Sequence, residues 1–224
     1  MTIINNSSHI FHDSRSQYLL ALHSCSETFG IAIKNINSPG INSQSKTFKL
    51  GRSLSNKLFT CIETILPKEY WKQIARISVS TGPGGFTTTR LSISMARAIS
   101  QQLGCSLDSI SSFHLMASRL HMTLEKKNEY EPFWIKNLLP RRGIVAGQYK
   151  LDKLKNKSNA ENFIEIIPPK LFKPNVSFSP SVDAIDNVKE DIIKLLDLSY
   201  FSHLSAVNNS WEKVLPIYPT SPVE

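Results

Sequence analysis

The stretch Ile77-Ser-Val-Ser-Thr-Gly-Pro-Gly-Gly-Phe-Thr-Thr-Thr-Arg-Leu-Ser-Ile93 joins a β-branched run to a glycine-rich turn and a helical pattern. Residues 77–81 predict a buried strand, and residues 87–103 predict a helix with Thr87 as its N-cap. A glycine-rich turn before a helix can bind an anion, because unpaired backbone N–H groups lie at the helix start. The same arrangement is also a tight corner on which two elements pack, and the residues alone leave that choice open.

On both sides of this stretch, predicted strands and helices alternate, which is typical of an α/β fold. Before it, residues 18–23 and 29–34 predict a β-hairpin, residues 45–50 a third strand, and residues 53–66 a helix. After it, we predict strands at 105–110, 133–139, 144–151 and 163–167, and helices at 113–124 and 187–204. Pro168 and Pro169 are expected to end the strand that begins at residue 163.

The composition excludes several classes of protein. No apolar run approaches the ~18 residues that span a bilayer, and the N-terminus lacks the pattern of a signal peptide. Cys25, Cys61 and Cys105 are odd in number and widely spaced, which favours free buried thiols in a reducing compartment over disulfides or a zinc site. We therefore expect a cytoplasmic protein that has no membrane contact.

The 224 residues suffice for two lobes, each with its own core. Residues 1–16 are predicted to be a disordered polar extension, residues 17–112 an N-terminal lobe, and residues 113–224 a C-terminal lobe with a Pro-rich tail. Between Trp134 and Asn175, nine lysines and arginines outnumber three acids, so this segment carries +6 of the formal +8 charge. It can attract a polyanion or simply form a solvated surface.

The histidines do not make a convincing active site. His114 and His121 lie seven residues apart on one predicted helix, which is too far for two ligands of one ion. His23 stands beside Ser24 at a strand end, but no acid is placed to orient the imidazole. Arg90 either anchors a carboxylate across an interface or pairs locally.

Several segments resemble the TsaB (YeaZ) family in the same order along the chain. Gly82-Pro-Gly-Gly-Phe-Thr-Thr-Thr-Arg90 resembles the family's Gly-Pro-Gly-Ser-Phe-Thr-Gly-Leu-Arg, and Leu20-Ala-Leu-His-Ser-Cys-Ser26 resembles its opening Leu-Ala-Leu-Asp-Thr-Ser. The segments that begin at Arg52, Arg141 and Leu215 are similar to further family motifs. The resemblance covers nearly the whole chain. It implies a two-lobed actin-like ATPase, Hsp70 and sugar-kinase (ASKHA) fold, in which a ribonuclease H-like mixed sheet is flanked by helices.

The resemblance also implies a function. TsaB proteins are non-catalytic paralogues of TsaD, the subunit that installs N6-threonylcarbamoyladenosine at position 37 of ANN-decoding tRNAs. We therefore expect a subunit, not an enzyme itself, that supports a TsaD-like catalytic subunit and offers surface to a TsaE-like ATPase. A homodimer is an alternative where TsaD is absent, and the sequence does not decide between the two kinds of dimer. We expect tRNA to be reached through the complex, and we expect no cofactor or metal.

Three groups of residues are candidates for these contacts. The glycine-rich loop would contact a phosphate or a partner, apolar positions on two helices would form the partner interface, and basic residues of the second lobe would contact tRNA. The loop residues are Gly82, Pro83, Gly84, Gly85, Phe86, Thr87 and Arg90; the interface residues are Leu58, Ile62, Ile65, Leu91, Ser94, Met95 and Ala98; the basic residues are Arg141, Arg142, Lys153, Lys155 and Lys157.

The sequence departs from the family pattern at several polar positions. His23 replaces the first-strand Asp, Leu54 and Asn56 replace a His and a Glu, and Leu139 replaces an acid. A phosphate-bound Mg²⁺ needs hard oxygen ligands, and a neutral imidazole is a poor substitute, which argues against ATP hydrolysis.

Two other functions remain open. A degenerate ASKHA nucleotide-binding enzyme or metal-dependent peptidase would bind ATP–Mg²⁺ tightly or retain a metal. A stand-alone tRNA-binding module would bind tRNA without any partner.

Overall fold

The computed structural model describes residues 17–37, 43–124, 130–152 and 163–219. The N-terminal extension expected at residues 1–16, and Lys153, Lys155 and Lys157, lie outside the described residues. The described part of the chain forms two mixed β-sheets and four α-helices. No described helix is both long and apolar enough to cross a membrane.

The first sheet has five strands in the order β3-β2-β1-β4-β5. The first three strands pair antiparallel, which confirms the predicted hairpin, and β4 and β5 run parallel to β1. The strands are β1 (Tyr18–His23), β2 (Thr28–Asn35), β3 (Ser43–Lys49), β4 (Ile74–Ser80) and β5 (Ser106–Ile110).

Helices cover both faces of this sheet, which explains the continuous apolar run of β1. Leu20 and Leu22 pack into the core beneath α1 and α2, whereas Leu19 and Ala21 pack into a second core beneath α4. Although α4 lies far along the chain, it contacts β1 and β2. The division of the chain into lobes at residue 112 stays a prediction. The helices are α1 (Leu54–Glu63), α2 (Phe86–Leu103), α3 (Ser112–His121) and α4 (Val188–Leu204).

The second sheet has four strands in the order β8-β7-β6-β9. Helix α3 packs on one face, where Phe113, Met116 and Leu120 meet Phe133 and Tyr149. The strands are β6 (Phe133–Leu139), β7 (Gly143–Leu151), β8 (Phe163–Phe172) and β9 (Ser181–Asp183).

Two features of the second sheet differ from the sequence-based expectation. The prediction that Pro168 and Pro169 end β8 is wrong, because the strand continues to Phe172. As β8 is an edge strand, a proline there need not remove a ladder hydrogen bond. The three-residue strand β9 was not predicted.

Of the four α-helices in the described residues, two have a side-chain N-cap and two do not: Ser53 precedes α1 without a capping hydrogen bond. The predicted N-cap at Thr87 is wrong: α2 begins at Phe86, and Gly85 takes the N-cap position. The N-caps of α3 and α4 are Ser111 and Asn187, whose side chains accept hydrogen bonds from backbone N–H groups one turn later.

A buried ion pair joins the first sheet to the end of the chain. Arg76 on β4 donates to Asp108 on β5 at 2.6 Å, and both side chains are almost fully buried. Asp108 also accepts hydrogen bonds from Ser199 on α4 and from Asn209. Arg76 further donates to the backbone carbonyl of Val207.

We expect Asp108→Asn to lower the free energy of unfolding by about 3–5 kcal/mol, because Arg76 is then buried without a counter-charge. Urea denaturation would measure this loss. Asp183→Asn is the matched control: Asp183 also pairs with a cation, Lys136, but its side chain is 80% exposed. The control should change stability by less than ~1 kcal/mol. Equal effects of the two variants would contradict a structural role for the buried pair.

Candidate functional site

The glycine-rich loop is built around the backbone carbonyl of Cys25, just beyond β1. The N–H of Gly85 donates to this carbonyl at 2.8 Å. A Cβ atom on Gly84 would lie 2.1 Å from the same oxygen, so a residue with a side chain cannot occupy this position without moving the backbone. The loop therefore needs glycine at 84 because of a close contact within the chain.

Hydrogen bonds tie the loop to three other segments. The N–H of Thr81 donates to the Ile110 carbonyl, and the N–H of Ile217 donates to the Thr81 carbonyl at 2.8 Å. Ser112 donates from its N–H to the Gly82 carbonyl and from its hydroxyl to the Pro83 carbonyl, each at 2.7 Å. The turn is therefore a packing corner, and the contact of the loop with a phosphate or a partner stays a prediction.

The start of α2 is held by side-chain contacts. Thr88 donates its hydroxyl to the Ser24 carbonyl at 2.7 Å. The Phe86 ring lies 4.9 Å from the Tyr218 ring, and the Arg90 guanidinium lies over Phe86 at 5.0 Å. Arg90 therefore makes a local contact in the isolated chain, while its side chain stays exposed.

A cleft of about 660 Å³ lies between the two sheets, beside this corner. Its polar side chains include Asn137, Arg142 and Asp186. Burial raises the pKa of Asp186, and Arg119 opposes that shift. The remaining lining residues are Cys25, Pro83, Gly84, Phe113, Met116, Leu139, Pro140, Val145, Ala184 and Pro219.

His23, at the end of β1, does not line this cleft and is fully buried. Neither ring nitrogen has a hydrogen-bond partner in another described residue. Burial lowers the pKa of His23 from 6.5 to about 4, with a smaller contribution from the positive charge of Arg119. The imidazole is therefore neutral near pH 7 and offers no negative charge to a metal ion.

Comparisons with known proteins agree with the sequence motifs. No family model matches the chain. Over 152 residues it is 25% identical to the tRNA threonylcarbamoyladenosine biosynthesis protein TsaB of Buchnera aphidicola subsp. Acyrthosiphon pisum (strain APS). That alignment covers 63% of this chain and 67% of the Buchnera protein. The resemblance of the chain to the TsaB/YeaZ family is thereby confirmed.

Two solved structures from Pseudomonas aeruginosa share the fold of this chain. One is an uncharacterized protein with similarity to peptidase YeaZ, at a TM-score of 0.67 and 17% identity, over 91% of this chain and all of that one. The other is YeaZ, at a TM-score of 0.65 and 16% identity, over 90% of this chain and 99% of that one. The predicted α/β fold class, with mixed sheets flanked by helices, is confirmed, and it is the fold of these two structures.

The two histidines considered as metal ligands lie in separate aromatic contacts. The His114 ring lies 5.8 Å from Tyr149, and the His121 ring lies 5.4 Å from Phe133 and 5.1 Å from Phe163. Within the described ranges, no group of three or more His, Cys, Asp or Glu side chains could hold a metal ion.

The structure places most of the predicted interface residues inside the protein. Leu58, Ile62, Ile65 and Met95 are buried in the core beneath α1 and α2, so they cannot form the outer surface that we expected from them. The amphipathic pattern correctly marks an apolar face, but that face covers the sheet. Leu91 is half-buried, and Ser94 and Ala98 are exposed.

The exposed side of these two helices contains an aromatic residue that the sequence analysis missed. Phe59 on α1 is 54% exposed and stacks on Trp71 with ring centroids 6.0 Å apart. The only sequence signal for it is a large apolar residue outside the helical apolar stripe.

Of the basic candidates, Arg141 and Arg142 lie in the exposed turn between β6 and β7, and Arg142 lines the cleft.

His23 should make the protein less stable in mild acid. Because the folded-state pKa is the lower one, the unfolded chain binds the proton more tightly, and stability falls as the pH drops from 6.5 towards 4. Between pH 7.5 and pH 5 this contributes a loss of about 2 kcal/mol. Urea titrations of wild type and His23→Asn at both pH values would measure it. If both proteins lose the same stability, the buried imidazole is not its source.

Proposed function

We propose that this chain is a non-catalytic subunit in the biosynthesis of N6-threonylcarbamoyladenosine in tRNA, and that it binds and supports a TsaD-like catalytic subunit. The similarity to the Buchnera TsaB protein supports the pathway. The observation that carries the non-catalytic part is His23, a buried and neutral side chain at the strand end where the family has an Asp.

The chemistry of the cleft supports the same conclusion. A phosphate-bound Mg²⁺ is held by oxygen ligands, and the strand end beside the glycine loop supplies an uncharged imidazole that does not line the cleft. Within the loop, the Gly85 N–H donates to the Cys25 carbonyl, and the Gly82 and Pro83 carbonyls accept hydrogen bonds from Ser112. The proposed role of the loop is to fix the start of α2 for a partner.

The partner surface that we propose consists of Phe59, Leu91, Ser94 and Ala98 on the exposed sides of α1 and α2. Ser94 and Ala98 are small and lie one turn apart, so a helix of the partner can approach closely. Phe59 is already positioned by its stack on Trp71 and so loses little freedom on binding. A second copy of this chain could use the same surface where the catalytic subunit is absent.

Ala98→Glu should weaken the complex with the TsaD-like subunit of the same organism by about 30-fold or more, because a buried charge would lie against the partner helix. Ser205→Glu, an exposed change at the end of α4, is the control. Co-purification and interferometry measure the affinity, and circular dichroism checks that both variants fold. An unchanged affinity for Ala98→Glu would rule out this surface.

A second candidate is nucleotide binding, which the 660 Å³ cleft with Arg142 favours. The two functions differ in the role of Mg²⁺. For the non-catalytic subunit we expect calorimetry of the lone chain with ATP to give the same weak or absent signal in Mg²⁺ and in EDTA. Affinity that rises at least tenfold with Mg²⁺ would favour the enzyme instead.

We further propose that a TsaE-like ATPase contacts the assembled complex and that tRNA reaches this chain within it. Among the predicted tRNA-contact residues that the structure describes are Arg141 and Arg142, which lie in the exposed turn between β6 and β7. We propose that they contact the tRNA backbone. Lys153, Lys155 and Lys157 add charge between β7 and β8, outside the described residues.

A further inference from the structure

The second sheet has one face covered by α3 and one outer face that α3 does not cover. Phe133 and Ile135 of β6 point towards α3, so the alternating Trp134 and Lys136 point the other way. Strand pairing places further residues on this outer face. They are Leu138 of β6, Ile144, Gln148 and Lys150 of β7, Ile164, Lys170 and Phe172 of β8, and Asp183 of β9.

Three aromatic rings form a cluster on this outer face. Phe178, from the segment between β8 and β9, lies 4.8 Å from Trp134 and 5.1 Å from Phe172, and Trp134 lies 5.8 Å from Phe172. All three side chains are half-buried, so each ring contacts its neighbours and also reaches the surface. The cluster is therefore a pre-positioned aromatic surface.

Lysines are interleaved with these rings. The Lys170 ammonium lies over the Phe172 ring at 5.2 Å. Ala146 on β7 pairs with Lys136 on one side and with Lys170 on the other, so the two lysines lie in the same row across the sheet. Lys150 on β7 pairs with Ile164 on β8. Among the described residues assigned to this face, Asp183 is the acid, and its contact with Lys136 at 3.7 Å is exposed and weak. The outer face therefore carries a net positive charge.

The apolar groups between the lysines are also exposed. Leu138 is 65% exposed and Ile164 is 47% exposed. Glu165, the neighbour of Ile164, points to the opposite face, where it accepts a hydrogen bond from Tyr149. Cationic and apolar side chains thus alternate across one sheet surface.

From this geometry we infer that the outer face of the second sheet is an RNA-binding surface, which contacts unpaired nucleotides of the tRNA. The inference rests on the proposed function and adds a second tRNA-binding surface to the turn that contains Arg141 and Arg142. Unpaired RNA offers phosphates to lysines and flat bases to aromatic and aliphatic side chains. A lipid surface would instead favour apolar groups gathered on one side of an amphipathic helix.

The test titrates a labelled transcript of an ANN-decoding tRNA against the complex with the TsaD-like subunit and against the lone full chain, from 50 to 300 mM KCl. The double variant Lys136→Gln/Lys170→Gln should bind about tenfold more weakly, and the slope of log K against log salt should shrink by about two. The control variant Lys189→Gln/Lys213→Gln removes two positive charges from exposed positions outside this face. Its affinity for tRNA and its salt slope should equal those of the wild type.

Tryptophan fluorescence locates the contact independently. Addition of tRNA should quench the protein, and this quench should be retained in Trp211→Phe and largely lost in Trp134→Phe. Each phenylalanine keeps an aromatic ring in place, so we expect both variants to fold, and circular dichroism checks this.

The outcomes separate this inference from the proposed function. A complex that forms normally but binds tRNA with unchanged affinity and salt slope in the double variant overturns the RNA surface alone. If no complex forms, the proposed function fails, and the lone-chain titration still decides whether the face binds RNA. Binding to vesicles of phosphatidylglycerol and phosphatidylcholine that depends on Lys136 and Lys170, without binding to tRNA, would assign the face to lipid and overturn the inference.

Discussion

The contact between the Cys25 carbonyl and the glycine loop is the constraint on which the first half of the structure depends. It brings the chain after β1 within 2.8 Å of the Gly85 N–H at the start of α2, and the space at Gly84 admits no side chain. The first turn of α2 is placed by this contact, and Ile93, Met95 and Ala96 then pack on the sheet and leave the opposite side of the helix exposed. The proposed partner surface therefore depends on a backbone contact that it does not include.

The sequence predicted the order and type of nearly all the elements, because their apolar patterns are strong and local. It failed where tertiary context decides. Pro168 and Pro169 would end a central strand, but β8 lies at an edge. Thr87 is a good N-cap residue, but the N-cap is Gly85, two residues earlier, where the N–H contacts the Cys25 carbonyl. The strand β9 has three residues and carries too little pattern to be recognised.

The candidate site was less predictable than the fold. An amphipathic pattern identifies an apolar face but does not distinguish contact with the chain's own sheet from contact with a partner, and Ile62 and Met95 proved to face the sheet. The outer face of the second sheet was missed for a similar reason. Trp134, Phe172 and Phe178 are distant in sequence, and only the pairing of β6, β7 and β8 brings them together with Lys170.

The late position of α4 in the chain has a consequence for synthesis on the ribosome. Strands β1 and β2 are made first, yet the core on one of their faces is completed by Ile192 and Leu195, and Asp108 receives its hydrogen bond from Asn209. The apolar face of the opening hairpin therefore stays uncovered until residues 188–204 have left the exit tunnel. Such distant contacts make folding slow and leave the nascent chain dependent on protection from aggregation.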